Sequence, residues 1–393
     1  MSTLEVLLGP VRVGVLERFE DEEYLFSFDP EWLRLPSRPV LGQLFEDRRP
    51  HDIATSGLPC WFSHLLPQGP LRRAIARQYG LTVDDDFELL ELLGEDLPGA
   101  VTVRPIHSQP LRRPTTNKPP LTLTAGPLHF SLAGAQWKLS VREGDRGLTL
   151  PVQGKTGSWI AKFHDPEFPG LPRVELATMS WARACGLKVP LLRGALASEF
   201  AELPPGIPTG DGAVFLIERF DRNPQVGRIH IEDFAQVLDQ PDQFVGSYEH
   251  IAVVLAYLAP ESLRQFCERL VFCVLCGNTD AHLKNWSLIY PDGRRPTLSP
   301  AYDIIASVLY VPRIKDELAL TLNGSRRFED VKVESFQLFA EVANHPFAEI
   351  SVWVQQAARR IRSTWHQDAA QWPFLPEERQ RLDAHMARVP LGQ

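Results

Sequence analysis

Long apolar runs are missing from this sequence. The longest, residues 251–259 and 270–276, fall well short of the roughly 18–20 residues that cross a bilayer, so no membrane-spanning helix is expected. The first ten residues carry Glu5 and no basic stretch ahead of an apolar core, so no secretory signal is expected either. Cysteine is scarce: five residues (Cys60, Cys185, Cys267, Cys273, Cys276) are scattered over 393 positions. An odd, dispersed set argues against a disulfide framework and suits reduced thiols in a cytoplasm. Cys273 and Cys276 have CxxC spacing, but they sit in an apolar, helix-like run. Buried thiols are expected there rather than a zinc or redox centre. Excess positive charge is absent too. Lys and Arg total 41 against 49 Asp and Glu, a formal charge of −8. That excludes coating nucleic acid by bulk electrostatics and leaves room only for a local basic patch.

What is there is globular. The chain is 44% hydrophobic and 23% charged, and its length suits two or three domains with cores of their own. Prolines, 34 of them, outnumber the 26 glycines, which implies many sharply bounded segments. Residues 1–104 read as a small mixed domain. Strands are expected over 5–16 and 24–28, helices over 61–66 and 71–79, and Asp84–Asp86 as the acidic cap of a helix that Gly94 closes. Residues 105–120 hold five prolines with Arg112, Arg113 and Lys118 and no acid, a semi-rigid linker. Over 121–222 strands are expected at 121–124, 130–141, 158–163 and 214–219, with a helix at 175–185. From 223 to 393 helices dominate, at 231–238, 248–258, 262–276, 352–365 and 376–388. Strands first and helices later give an α+β, two-lobed arrangement with a cleft.

The densest polar signal is the stretch from Gly277 to Trp286, directly behind an apolar helix. Asp280 and Asn285 stand five apart, the offset of base and metal-binding amide in phosphotransferase catalytic loops. A carboxylate can deprotonate a hydroxyl, and an amide oxygen is a hard ligand for Mg²⁺. Asp303 follows after a turn at 291–295; a hairpin there would return it beside Asn285. The rival reading has these Asx residues capping the next helix. Between two strand-like runs lies Ser131-Leu-Ala-Gly-Ala-Gln-Trp-Lys138, whose small residues let backbone N–H groups approach phosphate oxygens, or else make a plain hairpin turn. Lys162 ends an apolar strand, where a buried ammonium needs an anion: a phosphate, or Glu175. Glu218, Arg219 and Phe220 end another buried strand at a lobe boundary, where backbone groups can meet an adenine edge. Phosphate loop, strand lysine, connector, DxxxxN and later Asp occur in the order of an ATP-dependent phosphotransferase.

The sequence resembles the HipA-like serine/threonine kinases, toxins of bacterial type II toxin–antitoxin modules. The likeness rests on Ser131–Lys138, Glu218-Arg-Phe-Asp-Arg222, His230-Ile-Glu-Asp233, Gly277-Asn-Thr-Asp-Ala-His-Leu-Lys-Asn285 and Pro300-Ala-Tyr-Asp303. It extends into the first domain through Phe62–Gly69 and Leu92–Ala100. It implies a two-lobed protein-kinase-like fold: a HipA N-terminal-like α/β domain at 1–104, a kinase N-lobe at 121–222 and a helical C-lobe at 223–393. It also implies Asp280 as general base, with Asn285 and Asp303 holding Mg²⁺. ATP phosphates would lie in Ala133, Gly134, Ala135, Gln136, Trp137 and Lys138, with Lys162 touching them. Adenine would meet the backbone of Glu218, Arg219 and Phe220, and His282, Lys284 and Tyr302 would border the nucleotide. Ser131 takes the place of a regulatory autophosphorylated serine. Trp137 stands where the family usually has proline or a polar residue, and Val174 where Asn is common. The implied partners are a helix-turn-helix, HipB-like antitoxin, DNA reached through it, and a protein substrate that in the family is often an aminoacyl-tRNA synthetase. The alternatives are a lipid or small-molecule kinase and a non-catalytic, nucleotide-binding corepressor.

Overall fold

The computed structural model describes residues 2–20, 22–48, 52–106, 136–144, 147–151, 157–204 and 206–392. Nearly all of the proline-rich stretch, the strand expected at 121–124 and the first part of the one expected at 130–141 lie outside them; the end of the latter is strand from Lys138 on. The chain forms two compact units, one of residues 1–167, 195–241 and 290–294, the other of 168–194, 242–289 and 295–393.

In the first unit five antiparallel strands, β1 (Ser2–Leu8), β2 (Val11–Arg18), β3 (Glu23–Phe28), β4 (Asp52–Ser56) and β5 (Val101–Pro105), take the order β4-β3-β2-β1-β5. Residues 5–16, expected as a single strand, are two. Gly9 adopts a positive φ of 60°, and the chain reverses so that Leu4 pairs with Leu16. Apolar alternation continues through this tight turn, so periodicity alone does not reveal it. A second sheet holds β6 (Lys138–Gly144), β7 (Gly147–Thr149), β8 (Trp159–Lys162), β9 (Leu192–Leu196) and β10 (Ala213–Glu218), ordered β7-β6-β8-β10-β9. A single buried cluster runs from Leu4 to Leu216 and fills both sheets.

Residues 231–238, expected as a helix, are instead the strand His230–Asp233 and one helical turn, Phe234–Val237. Asp233 stops the strand by capping: its carboxylate accepts from Gln236 N at 2.9 Å, and Gln236 Oε1 accepts from Asp233 N at 3.0 Å. His230 and Glu232 point the other way, into the core. His230 Nε2 bonds the Leu41 carbonyl at 2.8 Å. Glu232 accepts from Trp61 Nε1 at 2.9 Å, from Gln43 N at 3.2 Å and from the Tyr290 hydroxyl.

The second unit is mainly helical, built from Leu171–Ala184, Tyr248–Leu258, Leu263–Leu275, Gln337–Val342, Phe347–Asp368 and Pro376–Arg388. Trp181 centres its core, with Phe272, Trp365 and Trp372 at 5.0, 4.5 and 5.9 Å. The thiols of Cys273 and Cys276 are buried in the helix core, and burial pushes Cys273 up to about 12. They are protonated and inert, as the apolar run led one to expect. No helix among the described residues is long and apolar enough to cross a membrane.

Burial pushes the Glu232 carboxyl up from 4.5 to about 7, against the pull of its three donors. The folded chain keeps a proton that the unfolded chain gives up. The stabilisation this brings is complete below about 4.5 and lost as pH rises through about 7. His230, which burial pushes down to about 4, titrates with and without this carboxyl and so cancels in a comparison. Glu232→Gln, neutral throughout, is expected to gain stability relative to wild type between about pH 5 and about pH 8, by on the order of 2 kcal/mol in urea unfolding. A difference that does not change with pH would show that the carboxyl is ionised throughout.

Candidate active site

Two groups of the expected residues are brought together, each within its own unit. In the first, Lys138 opens β6 directly opposite Lys162, the last residue of β8, and Phe215 of β10 flanks Lys162 on the other side. Directly opposed residues share a face of the sheet. Both lysines are buried, and Lys162 Nζ lies 6.0 Å from the Phe215 ring centroid. Like charges so placed are costly to hold unless each meets an accepting or opposite group. This adjacency comes from strand register, which the 24-residue separation in sequence hides. The Trp137 carbonyl accepts from Phe163 N at 2.9 Å, and its indole packs against the core. Beside it, Gln136 Nε2 is buried with no hydrogen-bond partner among the described residues. Ser131, Ala133, Gly134 and Ala135 lie outside the described residues.

Glu218 ends β10 opposite Trp159, and Arg219 N donates to the Ser158 carbonyl at 2.8 Å. The Arg219 side chain turns inward to a sealed cluster of four charges. It reaches Asp96 at 3.2 Å, Asp221 at 2.8 Å and Ser140 Oγ at 3.3 Å. Arg222 reaches the same Asp96 at 2.8 Å and Asp221 at 2.7 Å, together with the carbonyls of Leu97 and Gly99 at 2.9 and 2.8 Å. Gly99 N returns a bond to Asp221 at 2.9 Å. Burial alone would raise Asp221, but Arg219 and Arg222 hold it well below the usual carboxylate range. Three of the five residues in Glu218–Arg222 thus hold residues 96–99, a role that sequence reasoning missed. The only sequence-level signal was alternating charge beside a buried strand.

In the second unit the chain leaves the helix Leu263–Leu275 at Gly277, with φ of 69°. A Cβ there would lie 2.4 Å from Val308 Cγ1, so glycine is required by space as well as by conformation. No helix is capped by the polar residues that follow. They are tied to backbone instead. Asn278 Oδ1 accepts from Asp280 N at 2.9 Å, and Thr279 N donates to Ser307 Oγ at 2.7 Å. The Ala281 carbonyl accepts from the Tyr248 hydroxyl and from Trp286 Nε1, each at 3.2 Å. Asn285 Nδ2 donates to the Asp280 carbonyl at 2.7 Å. Asn285 is buried, while the Asp280 side chain is 56% exposed. His282 Nε2 stands 3.9 Å from Asp280 Oδ1, its ring edge-on to Phe244 at 4.9 Å. Its Nδ1 is buried without a hydrogen-bond partner among the described residues.

The strand Ser287–Tyr290 pairs with Thr297–Leu298 as a hairpin, Leu288 opposite Leu298. The return brings the Tyr302 hydroxyl to the Lys284 carbonyl at 2.8 Å, and Ser287 Oγ donates to that hydroxyl at 2.5 Å. Lys284 is buried within the turn Leu283–Asn285. Asp303 comes next, at φ of 55°, a left-handed conformation that Asp adopts more readily than most residues. Farther on, Ala306 N donates to Thr178 Oγ1 at 3.1 Å, which moors the segment to the helix Leu171–Ala184. Asn278, Thr178, Tyr248 and Trp286 were not anticipated; their side chains act on backbone, which no spacing rule reports.

Among the described residues no three His, Cys, Asp or Glu side chains gather as a cation cage. Asn285 and Asp303 nonetheless fit a hard cation, one amide oxygen and one carboxylate. With Nδ2 committed to the Asp280 carbonyl, the Asn285 oxygen faces away from it.

Comparison with known proteins places this architecture in a class. The fold matches that of the Shewanella oneidensis toxin–antitoxin complex of HipA, HipB and operator DNA, with a TM-score of 0.73 at 20% identity over 98% of this chain and 95% of that one. Residues 4–104 match the HipA N-terminal domain, and residues 130–372 the HipA-like C-terminal domain. A Sinorhizobium fredii protein named "Putative kinase Y4dM" is 35% identical over 100% of this chain and 98% of its own length. The serine/threonine-protein kinase toxin HipA of Shewanella oneidensis is 24% identical over 98% and 93%. The chain belongs to the HipA-like family.

Removing one member of the buried charge cluster leaves an uncompensated guanidinium. Asp96→Asn is expected to destabilise the fold by about 3 kcal/mol in equilibrium urea unfolding. A change below about 1 kcal/mol would mean that the cluster relaxes or takes in water.

Proposed function

We propose that the chain is an ATP- and Mg²⁺-dependent serine/threonine protein kinase, the toxin of a type II toxin–antitoxin module. The observation that carries this reading is the Asp280 loop: an exposed carboxylate on a backbone whose carbonyl is gripped by Asn285 at 2.7 Å. A carboxylate so presented orients a substrate hydroxyl and accepts its proton as the oxygen attacks the γ-phosphorus of ATP. The bond to ADP breaks as the phosphate monoester forms. Bound Mg²⁺ supplies charge neutralisation on the phosphates. Asn285 and Asp303 are the residues to hold it.

Lys138 and Lys162 supply cationic contacts to the phosphates, with residues 133–137 wrapping them. Glu218 and Phe220 face the adenine, and Arg219 fixes that connector from behind. His282, with its orphaned buried Nδ1, borders the nucleotide together with Lys284 and Tyr302. Phosphorylation of Ser131 would add nearly two negative charges beside the ATP phosphates and repel them, an off-switch. The partners in this reading are a HipB-like helix-turn-helix antitoxin and a protein substrate of the aminoacyl-tRNA synthetase kind, all within the cytoplasm. DNA is reached through the antitoxin, in keeping with the −8 charge.

Transfer of label from γ-labelled ATP to protein tests the reading. Wild type is expected to transfer it, and Asp280→Asn and Asp303→Asn to lose about 100- to 10,000-fold of the rate. Growth arrest on expression should vanish in the same variants. Labelling that persists in both variants sinks the site assignment. Absence of transfer by wild type, with ATP still bound, favours a corepressor.

A further inference from the structure

Arg269 lies within the helix Leu263–Leu275, sealed from water, and the proposed reaction gives it no task. Its guanidinium carbon stands 5.4 Å from the Trp286 ring centroid. Nη2 donates to the Ser299 carbonyl, which also accepts from Gln265 Nε2 at 3.2 Å. Nη1 is buried with no hydrogen-bond partner among the described residues. Burial pushes the group down to about 10, still charged at neutral pH. A buried cation without a carboxylate beside it is a poor way to fill space. Its retention has to be explained by what it joins.

The two groups it touches lie on the two arms of one hairpin. Trp286 directly follows Asn285, and Ser299 precedes Asp303 by four residues. The arms are already paired there, Ser299 N donating to the Ser287 carbonyl at 2.9 Å. Arg269 braces them from behind at the end where they run on to Asn285 and Asp303. A planar guanidinium can stack on an indole and donate to a carbonyl at once; an ammonium cannot do both. We propose that Arg269 is a positioning residue that fixes the separation of Asn285 and Asp303 and so sets the affinity of the divalent-cation site. The proposal rests on the assignment of those two residues as cation ligands.

Mn²⁺ binding, followed by loss of the free ion's paramagnetic resonance in the presence of a non-hydrolysable ATP analogue, tests it without reference to turnover. Arg269→Met and Arg269→Lys are expected to weaken Mn²⁺ by about tenfold, the lysine less than the methionine, with nucleotide affinity in EDTA changed by less than about twofold. Folded variants with wild-type Mn²⁺ affinity overturn the proposal, and so does collapse of both variants by circular dichroism, which would assign Arg269 to folding alone. Asp303→Asn reports separately on the ligand assignment. If it binds Mn²⁺ as wild type does, the assignment fails and the proposal falls with it. If it loses Mn²⁺ while the Arg269 variants do not, only the positioning role is overturned.

Discussion

Two aspartates and two arginines, sealed from water, hold residues 96–99 to the connector at 219–222. Each charge alone would be costly to bury; together they cancel, and Arg222 also donates to the carbonyls of Leu97 and Gly99, with its Nε left unmet among the described residues. The connector leaves β10 at this point, so its path follows from where Arg219 and Arg222 must go. Through Ser140 Oγ the same cluster reaches β6, the strand that begins with Lys138. The Lys138 strand and the Glu218 connector therefore share one electrostatic anchor, and the segment of residues 96–99 that leads into β5 is part of it.

The Asp280 loop solves a different problem. The proposed reaction needs a carboxylate that is accessible yet fixed, and access removes the packing that normally fixes a side chain. Here the rigidity is carried by the backbone. The carbonyls of Asp280 and Ala281 and the N–H groups of Thr279 and Asp280 are all taken up by side chains of Asn285, Tyr248, Trp286, Ser307 and Asn278. The carboxylate can then stay in water without the loop becoming loose.

How much of this was legible in the sequence depended on the range of the interaction concerned. The helices Tyr248–Leu258 and Pro376–Arg388 stand where their periodicity put them, because an apolar stripe is a local pattern. The hairpin that returns the chain toward Asn285 was legible from its Pro-Asp-Gly turn. Gly9 and the 230–238 segment were misread for the opposite reason. At Gly9 a tight turn interrupts an apolar alternation that looks continuous, and at Asp233 a capping box splits into strand and turn a stretch whose spacing reads as one helix. The Lys138–Lys162 pairing and the Asp96 cluster join positions far apart in sequence, which only register and tertiary packing bring together. No spacing rule contains them.

Motif residues divide by what their polar atoms meet. The side chains of Arg219, Asp221, Arg222 and Glu232 are buried and bonded to the helices and turns of residues 43–99. Their chemistry is consumed in holding the fold. Asp280 presents its carboxylate to solvent, and His282 and Gln136 keep buried ring or amide nitrogens without partners among the described residues. Leaving a buried donor or acceptor unmet costs stability. Such atoms occur at two positions of the expected nucleotide site and also at Arg222 Nε and His230 Nδ1 in the motifs that hold the fold, so the two kinds of residue differ in exposure rather than in unmet atoms. The Asp280 carboxylate stands open to solvent, as the proposed reaction requires, whereas the side chains of Arg219, Asp221 and Arg222 are sealed and spent on holding the fold.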